Sequence, residues 1–171
     1  LLQRKDVSSM SIELVRDYFR PLGRESDILE FDASSATVEL AAQAVGVIPA
    51  RIAKSLSFLT GEGCVLIIAA GDAKVDNSKY KHQFSTKAKM LTPDQVVEYT
   101  GHAIGGVCPF AITRPDVKTY LDVSLKRFDT VFPAAGSSNS AIELTCDELE
   151  RYACNCQGWV DVCKGWQEAE S

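Results

Sequence analysis

The chain has 171 residues and a formal net charge of −5, which suits one domain with its own core rather than two. Apolar residues at 46% and charged residues at 24% are the proportions of an ordinary globular protein, and no apolar run reaches the roughly 20 residues that span a bilayer. A sequence pI of 5.1 argues against a protein that coats nucleic acid non-specifically.

The N-terminus lacks a basic segment followed by an apolar stretch, so no secretion signal is read there and a cytoplasmic location is expected. Met10 suits a natural start. Residues 1–9 therefore read as an extension of upstream or cloning origin outside the fold, 10–165 as a single domain, and 166–171 as a tail. The six cysteines include one in an apolar strand and one in a glycine loop, which is no disulfide framework, and free thiols are expected.

In chain order, Ser11 is read as the cap of a first helix with Ile12, Val15, Tyr18 and Phe19 on its apolar face. Pro21 and Gly23 end it. Ile28 to Phe31 reads as a short strand. Ser35 is a second candidate cap, for a helix over Thr37 to Val45 closed by Gly46, and Pro49 opens a short helical turn.

Arg51 to Leu59 alternates as a strand, with Lys54 on the face of Ile52, Leu56 and Phe58. A lysine on such a face either reaches a cavity rim, as a site residue would, or snorkels along the sheet edge. Cys64 to Ala70 is continuously apolar and reads as a central strand ended by Gly71-Asp72. Asn77 to Phe84 is a polar helix, Lys87 to Leu91 an edge element, and Thr92-Pro93 the start of another helix ending at Gly101. Thr119 to Val123 is a strand; Val131 to Gly136 and Ala141 to Leu144 form a hairpin. Thr145 with Glu148 gives a capping box for the last helix, and Gly158 to Cys163 a final strand. Strands outnumber long helices without strict alternation. The fold class is therefore α+β: a mixed, largely antiparallel twisted sheet or partly closed barrel surrounded by helices.

Gly101 to Phe110 carries three glycines, one proline and no charge. Such a loop can hold backbone N–H groups toward a small substrate and stabilise a developing oxyanion; it can equally be a tight connector packed by Val107 and Phe110. Charge is uneven. Asp72 to Lys89 holds five lysines against two aspartates, a local +3, while Glu143 to the end holds seven acids against two bases, a local −5. A lysine-rich face could meet phosphates or simply be solvated.

Other chemistries are weak. A thiol nucleophile would pair Cys108 with His82 or His102, but no third orienting group is marked. Cys146, Cys154, Cys156 and Cys163 lack the Cys-x2-Cys spacing of a zinc knuckle. There is no Walker loop, no His-Glu-x-x-His and no Gly-x-Gly-x-x-Gly.

Four segments stand in a familiar order: Ile52-Ala-Lys54-Ser55-Leu-Ser-Phe58, Ala70-Gly-Asp72-Ala-Lys74-Val-Asp76, Thr100 to Phe110, and Ala134-Ala135-Gly136 followed by Ile142-Glu-Leu-Thr. In these the chain resembles the YbaK / prolyl-tRNA-synthetase-associated editing-domain family of aminoacyl-tRNA deacylases, over roughly Met10 to Trp159. The resemblance implies a YbaK-like fold and trans-editing, the hydrolysis of the ester joining a wrong amino acid to transfer RNA. It also implies that no metal or cofactor is used. Lys54 matches the family's site lysine. Gly105, Gly106, Val107, Cys108 and Pro109 match its Gly-x-x-x-Pro loop, which shapes the amino-acid pocket and presents amides to the ester carbonyl. Ser55, Pro109, Phe110, Ala135, Gly136, Lys74 and Lys79 are then the candidate substrate contacts. The expected partner is the acceptor end of a mischarged transfer RNA, with recruitment by prolyl-tRNA synthetase or another synthetase as a natural supplement to weak phosphate contacts. Ala134 and Ala141 depart from the serine and aspartate that other members carry, which leaves the edited amino acid open. That departure also keeps a non-catalytic binding domain in view.

Overall fold

The computed structural model describes residues 4–167. Among them are five α-helices and ten strands, arranged as a curled six-stranded mixed sheet with helices packed around it. Two strands form its centre: β2 (Ile52–Thr60) and β3 (Gly63–Ala70), antiparallel in register from Ala53↔Ala70 to Thr60↔Gly63. Every residue of β3 is buried, as its unbroken apolar run requires of a strand covered on both faces. Outward from β3 lie β5 (Val117–Asp122) and β9 (Cys156–Val160), both parallel to their neighbours. Outward from β2 lie β6 (Thr130–Pro133), parallel, and β8 (Leu144–Thr145), antiparallel to β6. Two small antiparallel pairs sit outside this sheet: β1 (Ile28–Glu30) with β7 (Ser140–Ile142), and β4 (Lys74–Val75) with β10 (Cys163–Lys164). Four of the seven pairings are antiparallel; the parallel ones are concentrated in the main sheet.

The helices are α1 (Arg4–Phe19), α2 (Val38–Val45), α3 (Asn77–Phe84), α4 (Pro93–Thr100) and α5 (Cys146–Tyr152). The capping boxes read at Thr92 and Thr145 form, each hydroxyl accepting from the third helical N–H while Gln95 or Glu148 reaches back. Two expected caps are corrected. Thr37, not Ser35, caps α2 by accepting from Leu40 N, and Ser35 instead donates to Ser138 O. Ser11 caps nothing, because α1 begins at Arg4 and carries it at mid-helix, fully buried. The segment set aside as an extension thus continues the first helix, and Val7 is buried within the fold. At the other end Trp166 is buried in the core and its carbonyl accepts from Arg127, so the folded unit runs past residue 165. Residues 1–3 and 168–171 of the predicted extension and tail lie outside the described residues.

The predicted hairpin after β6 is divided. Leu144–Thr145 returns to β6, whereas Ser140–Ile142 leaves to pair with β1, and Ala134 meets Ala141 in a single bridge. Ala134 and Ala141, where the hairpin divides, line a cavity together with residues of β2 and α2.

Candidate active site

Between β2, α2 and the loop following α4 is a cavity of about 270 Å³. Its floor is the β2 segment Ile52 to Ser57, and its walls include Val38 and Ala41 of α2, Gly105 and Val107 of the glycine loop, and Phe132, Ala134 and Ala141. Lys54 is the one charged residue among the described residues lining it.

The mixed apolar and polar sequence of β2 explains how a lysine comes to be there. Ala53 and Phe58 join the main core and Ile52 joins a small cluster with Ala42 and Phe132, so both ends of the strand are anchored. The residues between them, Lys54 to Leu56, remain half-buried on the cavity. The Lys54 ammonium donates to Gly71 O at 3.3 Å and, more closely, to Ala73 O. Both carbonyls belong to the turn that follows β3, closed by Ala73 N to Ala70 O at 3.0 Å. Burial pulls the Lys54 pKa below the usual lysine value, with Lys74 adding to the effect and Cys163, Asp72 and Glu39 opposing it. Ser55 Oγ, also on the wall, is buried without a hydrogen-bond partner. Of the four residues carrying such an atom among the described residues, only Ser55 belongs to the cavity lining.

The turn holding Lys54 is itself braced. Asp72 receives both arms of the Arg127 guanidinium at 2.9 and 2.6 Å, and Arg127 lies 5.0 Å from the Trp166 ring centre and donates to Ser124 O at 2.9 Å. The sequence reading singled out Ala70 to Asp76 as a motif but assigned its carbonyls no role. Gly71 O and Ala73 O orient Lys54, and side-chain identity does not announce that contact.

The glycine loop is fixed from behind. Its Gly106 lies so close to Gly136 and Ser137 that a Cβ would fall 2.8 Å from their backbone. Gly136 in turn lies against α1, where a Cβ would fall 2.8 Å from Ser11 O. The same Ser11 hydroxyl meets His102 Nδ1, and His102 Nε2 donates to Phe110 O at 2.8 Å. A carbonyl can only accept, so the proton sits on Nε2 and Nδ1 accepts from Ser11. Burial lowers the His102 pKa, which agrees with a neutral ring. His102 thereby ties both ends of the loop to α1. Gly106 N closes the Ala103–Gly106 turn on Ala103 O at 2.9 Å. Among the described residues the N–H groups of Gly105, Val107 and Cys108 meet no acceptor.

The predicted site residues therefore divide. Lys54, Ser55, Gly105 and Val107 line one cavity. Gly106 lies outside the lining with its amide already engaged, so its part in presenting amides is corrected to backbone packing. Pro109 and Phe110 are buried anchors; Phe110 packs 4.8 Å from the Phe19 ring and Pro109 O accepts from Cys154 N. Ala135 is fully buried in the core and Gly136 packs against α1, so of this segment only Ala134 lines the cavity. Lys74 is exposed on β4, and Lys79 is held by Asp161 at 3.0 Å and Cys163 O at 3.0 Å, so neither reaches the cavity.

Cys108 is fully buried with its sulfur 3.5 Å from His102 Nε2. The pairing resembles a thiol–imidazole couple, yet burial pushes the thiol up to about 12 and the shared imidazole proton is committed to Phe110 O. Native protein treated with iodoacetamide at pH 7.5 is expected to leave Cys108 unmodified, and Cys108→Ala is expected to keep its activity; mass spectrometry and turnover check the two. Among the described residues no group of three His, Cys, Asp or Glu side chains is placed to hold a metal ion, and no helix is long and apolar enough to cross a membrane.

Several known proteins are similar to this chain. An uncharacterized protein of Bacillus subtilis (strain 168), YwhH, is 58% identical over 160 residues, 92% of this chain and all of that protein. A crystal structure described as a candidate trans-editing enzyme for prolyl tRNA synthetase superposes with a TM-score of 0.81 at 31% identity, covering 91% of this chain and 98% of that one. The proline–tRNA ligase of Thermotoga sp. (strain RQ2) is 31% identical over 91 residues, which is 53% of this chain but 15% of the ligase. The pattern of the aminoacyl-tRNA editing domain matches residues 32–152, well over half of the chain and the stretch that contains Lys54, the Gly71–Ala73 turn and the glycine loop. On that match the chain belongs to the aminoacyl-tRNA editing domain family.

Proposed function

We propose that the protein is a trans-editing hydrolase that removes the amino acid from mischarged transfer RNA by cleaving the aminoacyl ester. The observation that carries this reading is one small cavity lined by a half-buried cation, Lys54, and by a loop with unengaged backbone N–H groups at Gly105 and Val107. An ester needs little more than a polarised carbonyl and a positioned water. Water adds to the carbonyl carbon, the charge on the carbonyl oxygen is met by the loop amides, and the C–O bond to the ribose then breaks, with the ribose oxygen taking a proton. Lys54 supplies a compact cation for the developing charge or the adjoining phosphate. The described lining holds no carboxylate or imidazole, so the attacking water gives its proton to a substrate group or to solvent.

Recruitment by a synthetase, prolyl-tRNA synthetase foremost, would raise the local concentration of an acidic protein on its polyanionic substrate. The stretch shared with the Thermotoga ligases supports that choice. A second reading, a non-catalytic domain that holds the aminoacylated end, is favoured by the alkyl wall at Ala134 and Ala141. Purified protein incubated with a panel of mischarged transfer RNAs decides between the two. Release of amino acid from at least one of them is expected; binding without release across the panel would overturn the hydrolase in favour of the holder.

A further inference from the structure

The two most exposed large apolar side chains among the described residues are Met90, at 63%, and Ile104, at 60%. Both also belong to the lining of the cavity, so they stand at its mouth. Neither is carried on a loose segment. Met90 pairs with Phe58 of β2 and is flanked by the bonds Leu59 N to Lys89 O at 2.7 Å and Leu91 N to Ser57 O at 3.2 Å. Ile104 occupies a corner of the turn closed by Gly106 N on Ala103 O. Large apolar groups held rigidly in water mark a surface kept for a ligand.

The segment leading to Met90 is basic. Lys81, Lys87 and Lys89 are exposed and make no ion pair among the described residues, in contrast to Lys79. Cations along a groove beside a surface on which bases rest are how proteins hold a single nucleic-acid strand. Resting on the deacylase reading, chemistry then fixes what stands where. With the ester beside Lys54 and the amino acid inside, the ribose must lie at the mouth and its base just beyond it. We infer that Met90 and Ile104 grip the terminal adenine of the acylated strand, and that this contact positions the ester. Apolar side chains can sandwich an unstacked base in this way, and methionine's polarisable thioether adapts to a flat ring.

The test uses two stable amides titrated by NMR into full-length protein: alanine on 3′-amino-3′-deoxyadenosine, and alanine on the same amino sugar without its base. Alanine is chosen because its side chain fits a cavity of about 270 Å³ in any orientation. Wild type is expected to bind the adenosine amide about 10-fold more tightly, the size of one base contact. In the Met90→Ser/Ile104→Ser double variant the two amides are expected to bind alike; both positions are exposed, so the fold should be kept. A preference for adenine that survives in the variant, or its absence in wild type, overturns the inference. A wild type that hydrolyses a mischarged transfer RNA yet treats the two amides alike sinks this inference alone. One that binds neither amide and hydrolyses nothing sinks the deacylase reading with it.

Discussion

Lys54→Ala is expected to fold normally and to lose at least about 100-fold in the rate of deacylation, the scale on which removal of one preorganised charge-stabilising group is felt. The wild-type ammonium is oriented by Gly71 O and Ala73 O on a braced turn, so its position costs nothing at the moment of reaction. Arginine should not rescue it, because its longer side chain and delocalised charge cannot set a compact cation at the same point. The same seat predicts a titration. Burial lowers the Lys54 pKa below the usual 10.5, so its charge is lost, as pH rises, before that of an ordinary lysine. NMR of the Lys54 side chain should place its midpoint below 10.5, and the part of the rate that depends on the charge should fade over the same interval. Undiminished turnover by Lys54→Ala, with unfolding within about 4 °C of wild type, would remove this residue from the mechanism.

Gly71→Ala is expected to damage fold and activity together. A Cβ at this position would lie 2.1 Å from Pro49 O and 2.7 Å from Val38 Cγ1, and backbone on one side cannot swing away. Overpacking of this kind costs about 3 kcal/mol, which corresponds to a fall of about 10 °C in Tm for a chain of this length. Relief by a backbone shift would move the carbonyl that holds Lys54, so turnover should fall further than the loss of folded protein explains. Gly61→Ala is the control, since a Cβ there meets nothing within 4 Å. Equal Tm values for the two variants would contradict the packing described here.

Where local chemistry dictates local structure, the chain could be read directly. The capping boxes at Thr92 and Thr145, the apolar run of β3 and the bounds of α3 depend on neighbours within a few positions, and each formed as the residues imply. Lys54 was legible for a related reason: a lysine in an apolar strand is costly unless something holds it. Tertiary contact decided the rest. Ser11 has the hydroxyl of a cap, but α1 runs through it, and only the fold brings it to His102, 91 positions away. Cys108 has the residues of a nucleophile near it, and only the fold shows it fully buried with its thiol pushed up to about 12. Lys74 and Lys79 have the charge for phosphate, but the pairing of β4 with β10 and the ion pair to Asp161 direct them elsewhere. Sequence by itself determined which groups could do chemistry, because that depends on composition and short-range pattern. Which of them share a cavity was decided by tertiary structure alone, because carbonyl seats, close backbone approaches and burial arise between segments that meet only when the chain is folded.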